Sequence, residues 1–239
     1  MNGLRPNDQR AKTAIMLIWI VMCIEVISLG SSYMQYDFIQ AALSGENISM
    51  DDANANDTRE RMVGIVYMLV MIISGITFIQ WFRRAYYNLH QRVDHLKHGE
   101  GWAAGAWFVP FLNWFRPYEI MKELYDETAE FLGTYEYKDK MQLSTSILGV
   151  WWAAWVIKSI LGQVVFRLGL HATEVSTILS VTVMSMVQHV LGIVAAFLVI
   201  RIIKEYSAVE PLLMEYSYED QINNIGSDSS NDVKTDEEV

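Results

Sequence analysis

A single cysteine, Cys23, is all the thiol chemistry in this 239-residue chain. A disulfide within the chain is excluded, and so is any site built from several thiolates. The mechanistic motifs are missing too. There is no phosphate-cradling Gly-rich loop of the Walker or dinucleotide type, no Gly-x-Ser-x-Gly and no His-Glu-x-x-His. Basic residues number 18 against 28 acidic ones, and they form no stripe that would suit nucleic acid. No nucleophile–base pair or metal set stands out, so an enzyme is the least supported class. No cofactor and no metal is expected.

What the chain does have is apolar length. Hydrophobic residues make up 52% of it, and its mean hydropathy is +0.16. Four apolar runs fall at about 13–34, 62–82, 146–166 and 175–200. Each is long enough to cross a ~30 Å hydrocarbon core as a helix. The expected fold is all-α, a bundle of four transmembrane helices, with the lipid bilayer as its first partner. The net charge of −10 belongs mostly to one end. Residues 205–239 hold ten acidic residues and one basic, whereas residues 1–204 are close to neutral. The expected division is a membrane domain over 1–204 and an acidic tail over 205–239, disordered at its end.

Orientation follows from the basic residues. Thirteen lie in the N-terminus, the loop between runs two and three, and directly after run four (Arg201 and Lys204); three (Arg59, Arg61 and Arg167) lie on the other side. That asymmetry places the N-terminus, a central insert of about 83–145 and the C-terminal tail in the cytoplasm. The first loop, 35–61, then faces outward. It carries Asn-x-Ser/Thr triplets at Asn47 and Asn56, read as solvation more than as modification.

The central insert is the least generic segment. A helix is expected to continue from run two and to end at Gly99 and Gly101. On it His90, Asp94 and His98 fall at metal-compatible spacing, but no further ligand completes a site, and a solvated face is the better reading. Trp102 to Phe115 is apolar but too short to span, and Pro110 splits it, so it is expected to be re-entrant, interfacial or buried in protein. Pro117 then opens an amphipathic helix, Tyr118 to Phe131, with Glu123 among the residues expected to face water.

Within this stretch the chain reads W-x-x-R-A-x-x-N-L from Trp81 through Arg84 and Asn88. It then reads G-W-x-x-G-x-W-F-x-P-x-x-N-x-x-x-P-Y-x-x-M-x-x-L through Trp102, Trp107, Pro110, Asn113, Pro117 and Tyr118. This pattern resembles the DUF4328 family of bacterial membrane proteins, whose function is unassigned. The resemblance covers about 50 residues tightly and the four-span layout loosely. It implies a multi-pass protein of the bacterial inner membrane, and it implies no activity. Most of the motif is explicable as packing. Arg84, Asn88, Asn113 and Arg116 are the exceptions, polar groups beside an aromatic cleft that could hold an anionic lipid headgroup or a small anion.

A second pattern lies in depth. Glu25, Lys158 and His189 fall within about two residues of the midpoints of runs one, three and four. They therefore lie within ~5 Å of one another in depth at 1.5 Å rise per residue. Charges at the bilayer centre are costly and face the bundle interior. Ser28 shares a face with Glu25, and Ser185 with His189, while Gln188 adjoins the latter. Two readings stay open: a structural ion pair that fixes helix register, and an ion- or proton-linked site. Haem is disfavoured because no second intramembrane histidine accompanies His189. The leading function class is a membrane-embedded binding, sensing or partner-interaction protein. The alternative is a small oligomeric transporter or channel that uses the Glu/Lys/His cluster. A homo-oligomer or a membrane partner protein is left open.

Overall fold

The computed structural model describes residues 3–133 and 143–213. Every regular element among them is helical: α1 (Asp8–Leu43), α2 (Met50–His90), α3 (Trp102–Gly105), α4 (Arg116–Gly133), α5 (Thr145–Gly169) and α6 (Val175–Val209). A 3-10 turn over Leu112–Trp114 joins α3 to α4. α1, α2, α5 and α6 are long and apolar enough to cross a membrane. Their outer faces are bare hydrocarbon, as at Met68, Leu69, Ile72 and Ile76 of α2 and Val187, Val190 and Val194 of α6. Such faces suit lipid tails and would be a liability in water.

The helices are longer than the apolar runs that announce them. The expected first loop, 35–61, is mostly helix, and only residues 44–49 connect α1 to α2. The start of α2 is capped: the Ser49 hydroxyl accepts the Asp52 N–H, and Asp51 and Asp52 sit where the helix dipole favours negative charge. The polar residues of this extension bond to one another across α1 and α2. Arg59 Nε donates to Ser31 Oγ at 3.1 Å and its Nη2 to Asn56 Oδ1 at 2.6 Å, and Asn56 also bonds Gln35. Asn56 is buried, its side chain taken up by these bonds.

At its other end α2 stops at His90, nine residues before Gly99. The Arg92 and Val93 N–H groups both turn back to the Leu89 carbonyl. His90, Asp94 and His98 therefore do not share a helical face. α6 runs through 204 without a break, so the expected domain boundary falls inside a helix. Lys138 and Lys140, two of the residues used for orientation, and the tail beyond Leu213 lie outside the described residues.

α1 and α6 form the central pair. α2 packs on α1 and α5 packs on α6, but α2 and α5 are not packed helix against helix. The segment between α2 and α5 folds over one end of this array, here called the insert end. There α4 buries Ile120, Met121, Leu124 and Tyr125 completely against Trp81, Phe82 and Tyr206. Glu123 also turns inward and is 8% exposed, against the expectation that it faces water. The Tyr125 hydroxyl donates to the Ile202 carbonyl at 2.8 Å and so ties α4 to α6.

Candidate functional site

Glu25, Lys158 and His189 meet. The Glu25 side chain is fully enclosed. Its Oε1 pairs with Lys158 Nζ and accepts the Tyr67 hydroxyl at 3.1 Å. Its Oε2 bonds His189 Nδ1 at 2.7 Å. One carboxylate from α1 thus receives donors from α2, α5 and α6, and such added hydrogen bonds offset the cost of burying its charge. Glycine makes the space. A Cβ at Gly192 of α6 would overlap the Glu25 carboxylate. A Cβ at Gly162 of α5 would come within 2.8 Å of Gln188 Nε2. Small residues at helix contacts permit this approach.

The neighbours chosen by face contribute less. Ser185 Oγ donates back to the Val181 carbonyl at 2.9 Å within its own helix. Ser28 is buried, and its hydroxyl has no partner among the described residues. Tyr67 was not foreseen. It lies a quarter of the way into run two, where a tyrosine reads as an interface residue. Its ring stands edge-on to the His189 ring at 5.5 Å between centroids, and Lys158 Nζ lies 5.7 Å from its centre.

Between α2 and α5 lies a cavity of about 620 Å³. Tyr67, Lys158 and Gln188 supply polar groups to its wall, and Ser74 and Ser159 add hydroxyls. Most of the rest is apolar or aromatic. Trp107 of the insert reaches in beside Trp155 at 5.5 Å, with the two rings perpendicular, and meets Phe78 at 5.6 Å. Phe78 touches Trp151 across the gap at 6.0 Å between centroids. The cavity is thus polar where it meets the ion cluster and aromatic where it meets the insert.

The motif residues separate into different jobs. Trp81 is completely buried, and its carbonyl accepts the Asn7 amide at 3.3 Å. Asn88 is a tether. Its Oδ1 accepts the Arg5 N–H at 2.9 Å, and its Nδ2 donates to the Arg5 carbonyl at 2.9 Å and to Glu210 at 2.7 Å. Burial pushes the Glu210 carboxyl up to about 7, against the opposing pull of the bonds from Asn88 and Asn7. Arg84 is half-buried, and its guanidinium makes no hydrogen bond or ion pair among the described residues. Trp102 is exposed. Asn113 donates its backbone N–H to the Val109 carbonyl, while its side-chain oxygen is buried without a partner among the described residues. No hydrogen bond joins Asn113 to Arg84 or Asn88.

Pro110 and Phe111 form the tip of the insert. Leu112 N–H bonds the Pro110 carbonyl at 2.8 Å, and Phe111 has φ 64°. This is a γ-turn of the rare, strained hand. Pro117 is buried in the first turn of α4, and Tyr118 stacks on Trp152 at 6.1 Å. Arg116 donates to His98 Nε2 at 2.5 Å and pairs with Glu119 at 3.2 Å. With Nε2 accepting, His98 carries its proton on Nδ1 and donates a hydrogen bond to Glu123 Oε2 at 3.0 Å. Burial pushes the Glu123 carboxyl up, but bonds from Tyr86, the Lys97 N–H and His98 outweigh it and hold the group below the usual carboxylate range. Neither Glu123 nor His98 was singled out for this role, and no spacing rule links residues 86, 98, 116 and 123.

Four apolar helices of membrane-crossing length, a carboxylate shared at their core and an aromatic insert over one end define an all-helical protein of the membrane-spanning class. The chain belongs to the family described as "Domain of unknown function (DUF4328)", which matches residues 44–208. The match holds α2 to nearly the end of α6 and the whole insert, and it leaves out α1 with Glu25. Neither a curated protein nor a solved structure matches the chain.

Proposed function

We propose that this is a membrane-embedded binding protein whose ligand is an amphiphile housed between α2 and α5. The observation that carries the reading is the cavity itself: about 620 Å³, with polar groups gathered at Tyr67, Lys158 and Gln188 and aromatic walls elsewhere. That is the size and mixture of a small-ligand site. Because α2 and α5 do not pack on each other, entry is from the lipid side. The ligand's polar group would sit near Lys158, whose charge is already matched by Glu25, so a neutral hydrogen-bonding head is favoured over a free anion. Its apolar part would lie along Trp107, Trp151 and Trp155. The excess of basic residues toward the insert end supports an inner-membrane topology with the N-terminus, insert and tail in the cytoplasm.

Gly75 provides the test. It lines the cavity, and a Cβ there meets no atom within 4 Å. Gly75→Leu should therefore intrude into the cavity without displacing the helices. Lipid extraction and mass spectrometry of the purified protein should show a co-purifying amphiphile that falls at least about tenfold in the variant at unchanged thermal stability. Equal retention would sink the binding reading. Ion or solute flux through proteoliposomes that disappears in Lys158→Met would replace it with transport by the Glu25, Lys158 and His189 cluster.

A further inference from the structure

Outside the cavity, three arginines converge at the insert end of α1 and α2. Arg10 Nη1 donates to the Gln80 carbonyl of α2 at 3.1 Å. The Arg5 guanidinium lies over the Tyr87 ring at 4.6 Å. Residues 80, 84 and 87 follow one another on a single stripe of α2, so Arg84 stands between the two contacts. The positive charges of Arg10 and Arg5 both act on it. Like charges are gathered here although Arg84 has no hydrogen-bonded partner of its own among the described residues.

The gathering is built. Asn88, fully buried, grips both the N–H and the carbonyl of Arg5, and Glu210 fixes the Asn88 amide in turn. A family-motif side chain is thereby spent on holding a distant N-terminal residue beside Arg84. Glu100 and Glu210 offset part of the charge on Arg84 from a distance, but among the described residues neither forms an ion pair with the trio. Glu100 is paired with Arg83 at 3.3 Å. Glu210 is buried among amide donors. Asp8 is exposed and, among the described residues, pairs with none of the three. Arg84 also lies one turn beyond Trp81, where the apolar run of α2 ends, which is the depth of lipid headgroups.

We propose that Arg5, Arg10 and Arg84 form a binding site for a phosphate group, carried by an anionic phospholipid of the leaflet at the insert end. Guanidinium groups suit phosphate because their forked donors match its oxygens. None of the three residues lines the cavity, so this site stands or falls apart from the amphiphile reading.

The test is native mass spectrometry of the full chain released from nanodiscs holding equal phosphatidylglycerol and phosphatidylcholine. The parent should retain phosphatidylglycerol preferentially. Arg84→Gln should lower that retention about tenfold, the effect of losing one charge-assisted hydrogen bond, and Arg10→Gln should lower it as well. Arg61→Gln, at the opposite end, should leave it unchanged. Thermal unfolding of each variant separates lost binding from lost fold. If millimolar inorganic phosphate displaces the lipid, phosphate itself is what the site recognises; if it does not, the lipid is the source. A parent without preference for phosphatidylglycerol, or equal losses in Arg84→Gln and Arg61→Gln, would overturn the site.

Discussion

The two ends of this molecule are held together by different physics. At the insert end the core is large and apolar: Trp81, Phe82, Tyr86, Ile120, Met121, Leu124, Tyr125, Ile202 and Tyr206 are wholly buried. Along the spans, away from the insert, many of the buried residues are polar (Glu25, Ser28, Ser31, Ser32, Asn56, Ser74 and Thr182), and the apolar ones beside them are aliphatic (Val21, Ile24 and Ile39). The difference follows from the solvent. Where water can reach the chain, burying aromatic surface is favourable and assembles α4 against α2 and α6. Where lipid surrounds the helices, apolar contacts with the partner helix gain little over contacts with lipid tails. Close packing at glycine and bonds between polar groups must do the holding. Glu25 is the centre of the second regime, as α4 is of the first.

The sharpest way to break that comparison is Glu25→Ala. It leaves the Lys158 ammonium half-buried without its counter-charge and three donors without an acceptor. Removing one partner of a buried pair costs about 3–5 kcal/mol. At about 2–4 °C per kcal/mol for a chain of this size, the unfolding midpoint in detergent should fall by roughly 6–20 °C. Glu25→Ala with Lys158→Ala should lose less than Glu25→Ala alone, because no uncompensated charge remains. A single variant that melts with the parent would mean that the spans are held by something other than the shared carboxylate.

Much of this contrast was legible in the residues. The four spans were readable because 20 consecutive apolar side chains have few other uses. The meeting of Glu25, Lys158 and His189 followed from depth alone, since helices of equal rise put midpoints level. Three things were not legible. The polar start of α2, residues 50–61, looks like a loop by hydropathy, and only the Ser49–Asp52 cap marks it as helix. The stop at His90 is set by tertiary return of the chain, with Leu89 and Val93 buried, and not by the glycines further on. The open side between α2 and α5 depends on which helices neighbour one another, which hydropathy does not encode. Tyr67 and the glycine-made spaces at Gly162 and Gly192 follow from that arrangement.

Glu210 tests the border between the two regimes, because a carboxyl is buried there at the end where apolar burial dominates. Its folded value near 7 lies above the ordinary carboxylate value of 4.5. The sign follows: the folded state binds the proton more tightly than the unfolded state does. This group's contribution is complete below about pH 4.5 and is lost as pH rises toward and through 7. The raised value corresponds to roughly 3 kcal/mol between those limits, at 1.36 kcal/mol per unit. Glu210→Gln should flatten the decline of the melting midpoint between pH 5 and 8 and leave the variant more stable than the parent at pH 8. A parent whose stability rises over that range would place the buried charge elsewhere.

The smallest effect is expected at Phe111, which belongs to neither core. Its side chain is 77% exposed, so the chain gains almost no packing from it. Its backbone nevertheless pays for φ 64°, a conformation glycine adopts without the clash a Cβ brings. Strain of this kind costs on the order of 1 kcal/mol or more. Phe111→Gly should therefore raise stability in detergent by up to about 1 kcal/mol, less the entropy that glycine adds to the unfolded chain. A fall instead of a rise would show that the phenyl ring is held by contacts beyond the chain. Phe108 and Val109 are exposed beside it, and Trp107 is seated among the spans at the depth of Trp155. The contact would then be lipid, and the insert tip would join the regime of the spans, a strained backbone kept because it carries an aromatic ring into the bilayer. Repeating the measurement in nanodiscs separates the two cases, since lipid dependence of the Phe111→Gly effect is expected only from a ring that inserts.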